Sequence, residues 1–184
     1  RAITRPEIAL LLSCSRHRVD LKHAQRIKEL CQDNIGWNYL LSLAGRHGLM
    51  PLLFHRFNSI CPEAVPAPIL SRLKNHFNAN LGYNRFLTGE LLWLLNLFEF
   101  HGIPAVPFKG PVLASSVYGN LSLREFSDLD ILIHKKDLNR AKDLLLSQDY
   151  SALYRLNRVQ EASSIRRACQ YHFRQQKTGV NLEI

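Results

Sequence analysis

Two aspartates separated by one residue are the side chains best placed for metal chemistry. Asp128 and Asp130 lie in residues 127–134, which are mostly apolar beyond the two aspartates and are predicted to form a β-strand. Because strand side chains alternate between two faces, both carboxylates project from one face. Adjacent carboxylates repel each other, and a divalent cation such as Mg²⁺ relieves that repulsion because it prefers carboxylate oxygens. The alternative is an exposed strand with two solvated acids.

A lysine–glycine turn precedes this strand in the chain. Residues 103–108 are apolar and interrupted by proline, which predicts a strand at an edge or a bend. Lys109 and Gly110 follow, and Pro111 takes the favoured first position of a predicted helix over 111–118. The backbone N–H groups at a helix N-terminus can bind a phosphate. Lys109 would add a positive charge there, and Gly110 would let the phosphate approach the backbone closely. An ordinary strand-to-helix turn is the alternative.

A third carboxylate lies near the end of the sequence. In residues 180–184 apolar side chains alternate with Asn181 and Glu183, which predicts a strand with both polar residues on one face. If this strand pairs beside that of Asp128 and Asp130, three carboxylates from two strands can hold two metal ions about 3.5–4 Å apart. That arrangement serves in-line phosphoryl or nucleotidyl transfer. The alternative is a solvated acid on the polar face of a strand.

The elements that position these residues follow a helical first half. Apolar residues recur at helical spacing in segments 3–12, 21–31, 37–46, 50–57 and about 67–101, with Gly82 or Gly89 as a candidate break in the last. The strand of 103–108, the helix of 111–118 and the strand of 127–134 come next, followed by a helix over 138–146, a basic helical region and the strand of 180–184. This order predicts a helical domain at 1–101 and a mixed α/β (α+β) domain at 102–184.

The charge of the chain favours polyanionic partners. Its 184 residues include 24 Lys and Arg against 15 Asp and Glu, a net charge of +9. Between residues 151 and 178 there is one acid, Glu161, among six basic residues: Arg155, Arg158, Arg166, Arg167, Arg174 and Lys177. This segment is either a solvated helical face or a surface that contacts the phosphates of a nucleotide or nucleic acid.

The remaining composition bears on the compartment. No uninterrupted apolar run approaches the roughly 20 residues of a membrane-spanning helix, so we expect no membrane insertion. Four widely spaced cysteines without a Cys-x-x-Cys pair indicate buried thiols in a reducing cytoplasm. The sequence begins at Arg1, has Met50 as its only methionine and stops in a strand, so we expect a fragment truncated at the C-terminus.

Residues 108–133, FKGPVLASSVYGNLSLREFSDLDILI, resemble the uncharacterised bacterial nucleotidyltransferase family of the polymerase-β-like superfamily. The family pattern is a hydrophobic residue with Lys-Gly, a helix of small residues, Tyr-Gly, and then Arg, two residues and Ser-Asp-x-Asp. It is matched here by Lys109, Gly110, Tyr118, Arg124, Ser127, Asp128 and Asp130. The resemblance covers about residues 102–150, and 180–184 fits the strand of the third carboxylate.

The resemblance implies a polymerase-β-like core with a small mixed sheet, a divalent metal (Mg²⁺ or Mn²⁺) and a nucleoside triphosphate donor such as ATP. It implies catalytic and metal-binding roles for Asp128, Asp130 and Glu183, and nucleotide or phosphate contacts for Lys109, Gly110, Arg124, Ser127 and Ser115. Better-studied members of the superfamily place a serine directly on the phosphate loop, whereas Pro111 follows Gly110 here. A serine contact would therefore come from the helix, through Ser115 or Ser116.

The function predicted from these features is the transfer of a nucleoside monophosphate from a triphosphate to an acceptor hydroxyl. The acceptor would be a protein, an RNA or a small molecule. One alternative is a catalytically silent nucleotide- or RNA-binding module, such as a toxin–antitoxin component, which the basic segment 151–178 favours. A metal-dependent glycosyltransferase also uses Asp-x-Asp, but it expects several parallel βα units before the pair, and the helical first hundred residues lack them.

Overall fold

The computed structural model describes residues 5–16, 18–153 and 170–184, which form seven α-helices and five β-strands. Five helices come first: α1 (Pro6–Cys14), α2 (Leu21–Cys31), α3 (Trp37–Arg46), α4 (Met50–Ile60) and α5 (Ala67–Phe100). They are followed by β1 (Ala105–Phe108), α6 (Gly110–Tyr118), β2 (Asp128–Ile133), α7 (Leu138–Ser147), β3 (Tyr150–Ala152), β4 (His172–Gln175) and β5 (Asn181–Glu183). Short 3-10 helices lie at Pro62–Ala64, Leu121–Leu123 and Lys135–Asp137.

The helices largely follow the predicted boundaries. The bounds of α2 and α3 are the predicted ones, and α4 continues past the predicted end to Ile60. The candidate break in α5 is wrong, because the helix runs through both Gly82 and Gly89. A glycine inside a helix costs only about 1 kcal/mol, which burial of the leucine stripe along α5 outweighs. Within the described residues, no helix has both the length and the hydropathy that a membrane crossing needs.

The chain divides into two compact units. The first comprises the described part of Arg1–Asn84 together with Ala114–Glu125, and the second comprises Arg85–Leu113 with the described part of Phe126–Ile184. The predicted domain boundary between residues 101 and 102 concerns independently folding domains, which this division does not test. It stays a prediction.

The first unit has a helical core. Its fully buried side chains include Leu10, Ile27, Leu40, Phe57 and Leu73. The same core holds free, buried thiols at three of the four cysteines, Cys14, Cys31 and Cys61, as the sequence predicts. Cys169 lies outside the described residues. The apolar spacing noted in the sequence therefore corresponds to one packed core.

Polar residues of α5 hold the segment that precedes β2 in the chain. Asn84 is fully buried, and its amide donates to the carbonyl oxygens of Leu121 and Arg124 at 2.6 and 2.8 Å. One helical turn earlier, Asn80 donates to the carbonyl of Ser122 at 3.1 Å. A further turn earlier, the Nε2 atom of His76 lies 2.8 Å from a carboxylate oxygen of Glu125. This i, i+4, i+8 spacing lies on one helix face and fixes the backbone of the segment.

The five strands form one mixed sheet in the order β1-β2-β5-β4-β3. Strands β2 and β5 are parallel, whereas the other neighbours are antiparallel. The predicted α+β class with a small mixed sheet is confirmed. The prediction that the basic segment 151–178 is helical is wrong at residues 151–152 and 172–175, which belong to β3 and β4. Residues 154–169, with Arg155, Arg158, Arg166 and Arg167, lie outside the described part.

One face of the sheet is apolar. Register places Leu129 of β2 beside Leu182 of β5, and Leu182 beside Phe173 of β4. All three side chains are at most 1% exposed. Since directly paired residues share a face, this row fixes which side of β2 and β5 is buried, and the alternate residues of both strands project from the opposite face.

Candidate active site

Three carboxylates meet where β2 and β5 lie side by side. The parallel register pairs Asp130 with Glu183 and Asp128 with Asn181, so the condition for a three-carboxylate site, that these two strands lie side by side, is met. One carboxylate oxygen each of Asp128, Asp130 and Glu183 lies within 4.8 Å of the other two. Within the part of the chain that the structure describes, no other group of three or more His, Cys, Asp or Glu residues is arranged in this way. Three converging carboxylate oxygens are a donor set that suits a hard divalent cation.

The three carboxylates differ in their access to water. Asp128 is exposed, Asp130 is only 4% exposed, and Glu183 is intermediate. The alternative of an exposed strand with two solvated acids therefore does not describe Asp130. A buried carboxylate requires a partner, because its charge loses the hydration it has in water.

Lys109 supplies that partner. Its Nζ atom lies 2.8 Å from Oδ1 of Asp130. The contact follows from register, since antiparallel β1 and β2 place Phe108 opposite Asp130 and Lys109 is the next residue. The hydrogen bond to Asp130 raises the pKa of Lys109, and the negative charges of Asp130, Glu183 and Asp128 raise it further. Lys109 is therefore positively charged at neutral pH and lies at the edge of the acidic cluster. Its contact with phosphate stays a prediction.

Gly110 begins α6 beside the first residue of β2. Its φ is +36°, a region that L side chains rarely adopt, which is the reason for glycine here. A Cβ at this position would lie 3.6 Å from the carbonyl oxygen of Asp128, an ordinary contact distance. The N–H of Leu113 donates to the carbonyl of Lys109 at 2.9 Å, as expected for a first helical turn. The amide end of α6 thus lies against the backbone of the carboxylate strand, with Pro111 in its first turn.

The polar face of the sheet carries two rows of paired side chains. The first row runs across four strands through Asp128, Asn181, Arg174 and Ser151. The second runs through Asp130, Glu183 and His172. In this second row Nδ1 of His172 lies 3.9 Å from Oε2 of Glu183. The face is therefore acidic at β2 and basic at β4.

A cleft of about 380 Å³ opens along these rows. Its polar lining consists of Ser127, Asp128, His172, Arg174, Asn181 and Glu183. Sequence reasoning missed His172 and Arg174 as site residues. The sequence assigns Arg174 to the basic segment. The one local sign of a strand is that Arg174 lies between Phe173 and Gln175, both of which are buried in the structure.

The other predicted phosphate ligands have less distinctive surroundings. Ser127 is exposed and lines the cleft next to Asp128. Ser115 is exposed on α6, and Arg124 is half-buried after the 3-10 helix of Leu121–Leu123. The roles of these three residues at a bound nucleotide stay predictions.

Comparison with known proteins identifies the family. The family model described as uncharacterised nucleotidyltransferase matches residues 33–184, so the chain belongs to this family. The protein is thus a nucleotidyltransferase, as the sequence resemblance implies, and membership implies a nucleoside triphosphate substrate. Members typically use a divalent metal, for which the acidic triad is a suitable ligand set. No curated protein and no solved structure matches the chain.

Lys109→Met is expected to make thermal stability depend more strongly on divalent metal. The variant leaves buried Asp130 without its counter-charge, so Tm in EDTA should fall by a few degrees. Adding Mg²⁺ should raise Tm by more than in the native protein, because the cation no longer competes with Lys109 for Oδ1. Since the pKa of Lys109 is raised above its usual 10.5, the ion pair is fully present at neutral pH and is lost only as pH rises through the raised value.

Thermal unfolding at neutral pH in EDTA and in Mg²⁺ measures this effect. Lys135→Met, at an exposed lysine of the same unit, is the matched control and should behave as the native protein does. An equal response to Mg²⁺ in both variants would contradict the competition.

Proposed function

We propose that the protein is a metal-dependent nucleotidyltransferase that moves a nucleoside monophosphate from a triphosphate to an acceptor hydroxyl. The observation that carries the proposal is the convergence of Asp128, Asp130 and Glu183 on the polar face of the sheet, in a chain of this family. The acceptor oxygen forms a bond to the α-phosphorus and gives up its proton to solvent, the bond from that phosphorus to the bridging oxygen breaks, and pyrophosphate leaves.

The positions of the residues support a role for each in this reaction. Asp128 and Asp130 would hold Mg²⁺ or Mn²⁺, and Glu183 would share a second ion with them. When bound, such ions neutralise phosphate charge and lower the pKa of the attacking hydroxyl. Lys109 and the amide end of α6 lie on the β1 side of the triad, where their positive charge suits the β- and γ-phosphates of the donor. To contact phosphate, Lys109 exchanges its bond to Asp130 for one to the donor.

The sheet argues against a glycosyltransferase. That class expects the Asp-x-Asp pair after several parallel βα units, whereas β2 lies between antiparallel β1 and parallel β5. In addition, helices alone precede β1 in the described chain. The arrangement is that of a small mixed sheet with its acids on two neighbouring strands.

Calorimetry with each of the four ribonucleoside triphosphates, with Mg²⁺ and with EDTA, tests the proposal. We expect binding of at least one triphosphate in the range of about 1 μM to 1 mM, and only with metal. An assay with the α-³²P-labelled triphosphate should then show a labelled acceptor, and a separate assay of pyrophosphate should show its release. Metal-dependent binding without release or transfer would favour a catalytically silent binding module instead. Absence of metal-dependent binding would contradict the proposed function.

A further inference from the structure

The β4 side of the polar face carries an arginine without a carboxylate partner among the described residues. Arg174 is exposed and lines the cleft with Asn181 and Asp128. Its backbone is fixed by pairing with Ser151 on one side and Asn181 on the other. Its Nη2 atom lies 3.6 Å from where a Cβ on Gly179 would be, at the turn between β4 and β5. The guanidinium is thus placed by the sheet and available to a ligand.

Arg174 and Lys109 lie on opposite sides of the acidic triad. The sheet order puts β1, with Lys109 after it, on one side of β2, and β5 and β4 on the other. Neighbouring strands are about 4.8 Å apart, so the backbone of Arg174 lies roughly 10 Å from that of Asp128. A positively charged side chain therefore lies on each side of the triad, whereas the leaving pyrophosphate needs only one of the two sides.

In-line displacement decides which side belongs to which substrate. The attacking oxygen approaches the phosphorus opposite the leaving group, so donor phosphates and acceptor must lie on opposite sides of the reacting centre. If the leaving phosphates take the side of Lys109 and α6, the acceptor enters through the cleft on the side of β5 and β4. This step rests on the proposed function.

We propose that this cleft is the acceptor site and that the acceptor carries an anionic group, phosphate or carboxylate, held by Arg174. A guanidinium binds either anion through two parallel hydrogen bonds. The strand spacing puts that anion roughly 5–10 Å from the reacting hydroxyl. Because Asp128 and Glu183 also line the cleft and repel an anion, the anionic group lies at the Arg174 end. Neutral Asn181 lies between the two ends, and Ser127 lines the cleft next to Asp128.

The experiment compares acceptors that share a hydroxyl but differ in the anion. Labelled transfer from the four α-³²P ribonucleoside triphosphates with Mg²⁺ is measured for ribose against ribose 5-phosphate, and for glycerol against glycerol 3-phosphate and glycerate. A short RNA provides a macromolecular phosphate source. We expect at least one anionic acceptor to exceed its neutral partner about tenfold or more in kcat/KM. In Arg174→Gln that preference should be lost, so that the anionic acceptor falls about tenfold or more toward the rate of its neutral partner, mainly through KM, as expected for a charge-assisted contact.

Arg85→Gln is the matched control, because it removes the same charge from an exposed position in the same unit, and it should keep the native preference. Glycerate and the phosphate esters distinguish a carboxylate from a phosphate, and the RNA distinguishes a macromolecular source. Equal use of anionic and neutral acceptors, or equal preferences in the two arginine variants, overturns this inference. The inference is also overturned if the protein binds the metal–triphosphate and releases pyrophosphate but labels no anionic acceptor. That result leaves the proposed function standing. Loss of both binding and release would instead overturn the proposed function.

Discussion

Asp128→Asn is expected to lower nucleotidyl transfer by about a thousandfold or more, equivalent to roughly 4 kcal/mol of barrier. The substitution keeps the size and shape of the side chain but replaces one carboxylate oxygen with a donating NH₂ group, which removes a negative charge from a triad whose members lie within 4.8 Å of each other. The same change should weaken metal-dependent triphosphate binding about tenfold or more. Rates of labelled transfer and pyrophosphate release, with calorimetry, measure both effects.

The fold of the variant should remain intact, for a reason specific to the site. Asp128 is exposed, and its neighbours in space are two further carboxylates, so neutralising it removes repulsion in the metal-free protein. Tm in EDTA should thus be equal to or higher than that of the native protein, whereas the rise in Tm on adding Mg²⁺ should be reduced. Asp130 is a less informative target, because it is buried and bonded to Lys109.

Asp143→Asn, at an exposed acid of α7 in the same unit, controls for the loss of one negative charge. It should keep native activity and the native response to Mg²⁺. Transfer by Asp128→Asn at a rate within tenfold of native, in a preparation with unchanged Tm, would exclude Asp128 as a metal ligand of the reaction.

Local signals in the sequence were sufficient for the carboxylate strands. Alternation of apolar and acidic residues predicted that Asp128 and Asp130 share a face, and the same period placed Glu183 on the polar face of its own strand. The pairing of β2 with β5 was only a condition for the three-carboxylate site, and the structure supplies both the pairing and its parallel direction. Strand period is a property of consecutive residues, and it is therefore visible without the fold.

Contacts set by register between distant segments could not be predicted in this way. The bond from Lys109 to Asp130 depends on the register of β1 against β2, and no spacing along the chain specifies that register. The sequence predicted a phosphate contact for Lys109, which stays a prediction, and it gave no sign of the ion pair with Asp130. Asn84 is similar, because an amide within an apolar helical stripe does not reveal which distant carbonyls it will bind.

Strand β4 shows why short elements in charged segments are missed. Its four residues, His172 to Gln175, alternate in burial, but they follow a basic stretch whose charges are equally typical of a solvated helix. So few residues cannot form a strand by themselves, and pairing with β5 and β3 supplies most of the stabilisation. The missed strand carries His172 and Arg174, so the sequence also carried no sign that these two side chains line the cleft beside the triad.

Glu183→Gln is expected to separate donor binding from transfer. If Asp128 and Asp130 hold the metal that accompanies the triphosphate, and Glu183 is needed only for a second ion near the acceptor, the variant should bind the metal–triphosphate within about threefold of native while transfer falls about 100-fold. The position of Glu183 agrees with this division, because it is paired with Asp130 on one side and with His172 of the cleft wall on the other. Calorimetry and single-turnover transfer measure the two quantities separately.

The matched control is Glu99→Gln, at an exposed acid of α5 in the same unit, which should change neither quantity. Asp128→Asn should lose triphosphate binding and transfer together, so comparing the two variants separates a role in donor binding from a role in transfer alone. Equal losses of binding in Glu183→Gln and Asp128→Asn would mean that the three carboxylates act as one ligand set for a single ion. Native transfer by Glu183→Gln would instead mean that the two aspartates suffice and that pairing of β5 with β2 serves the fold alone.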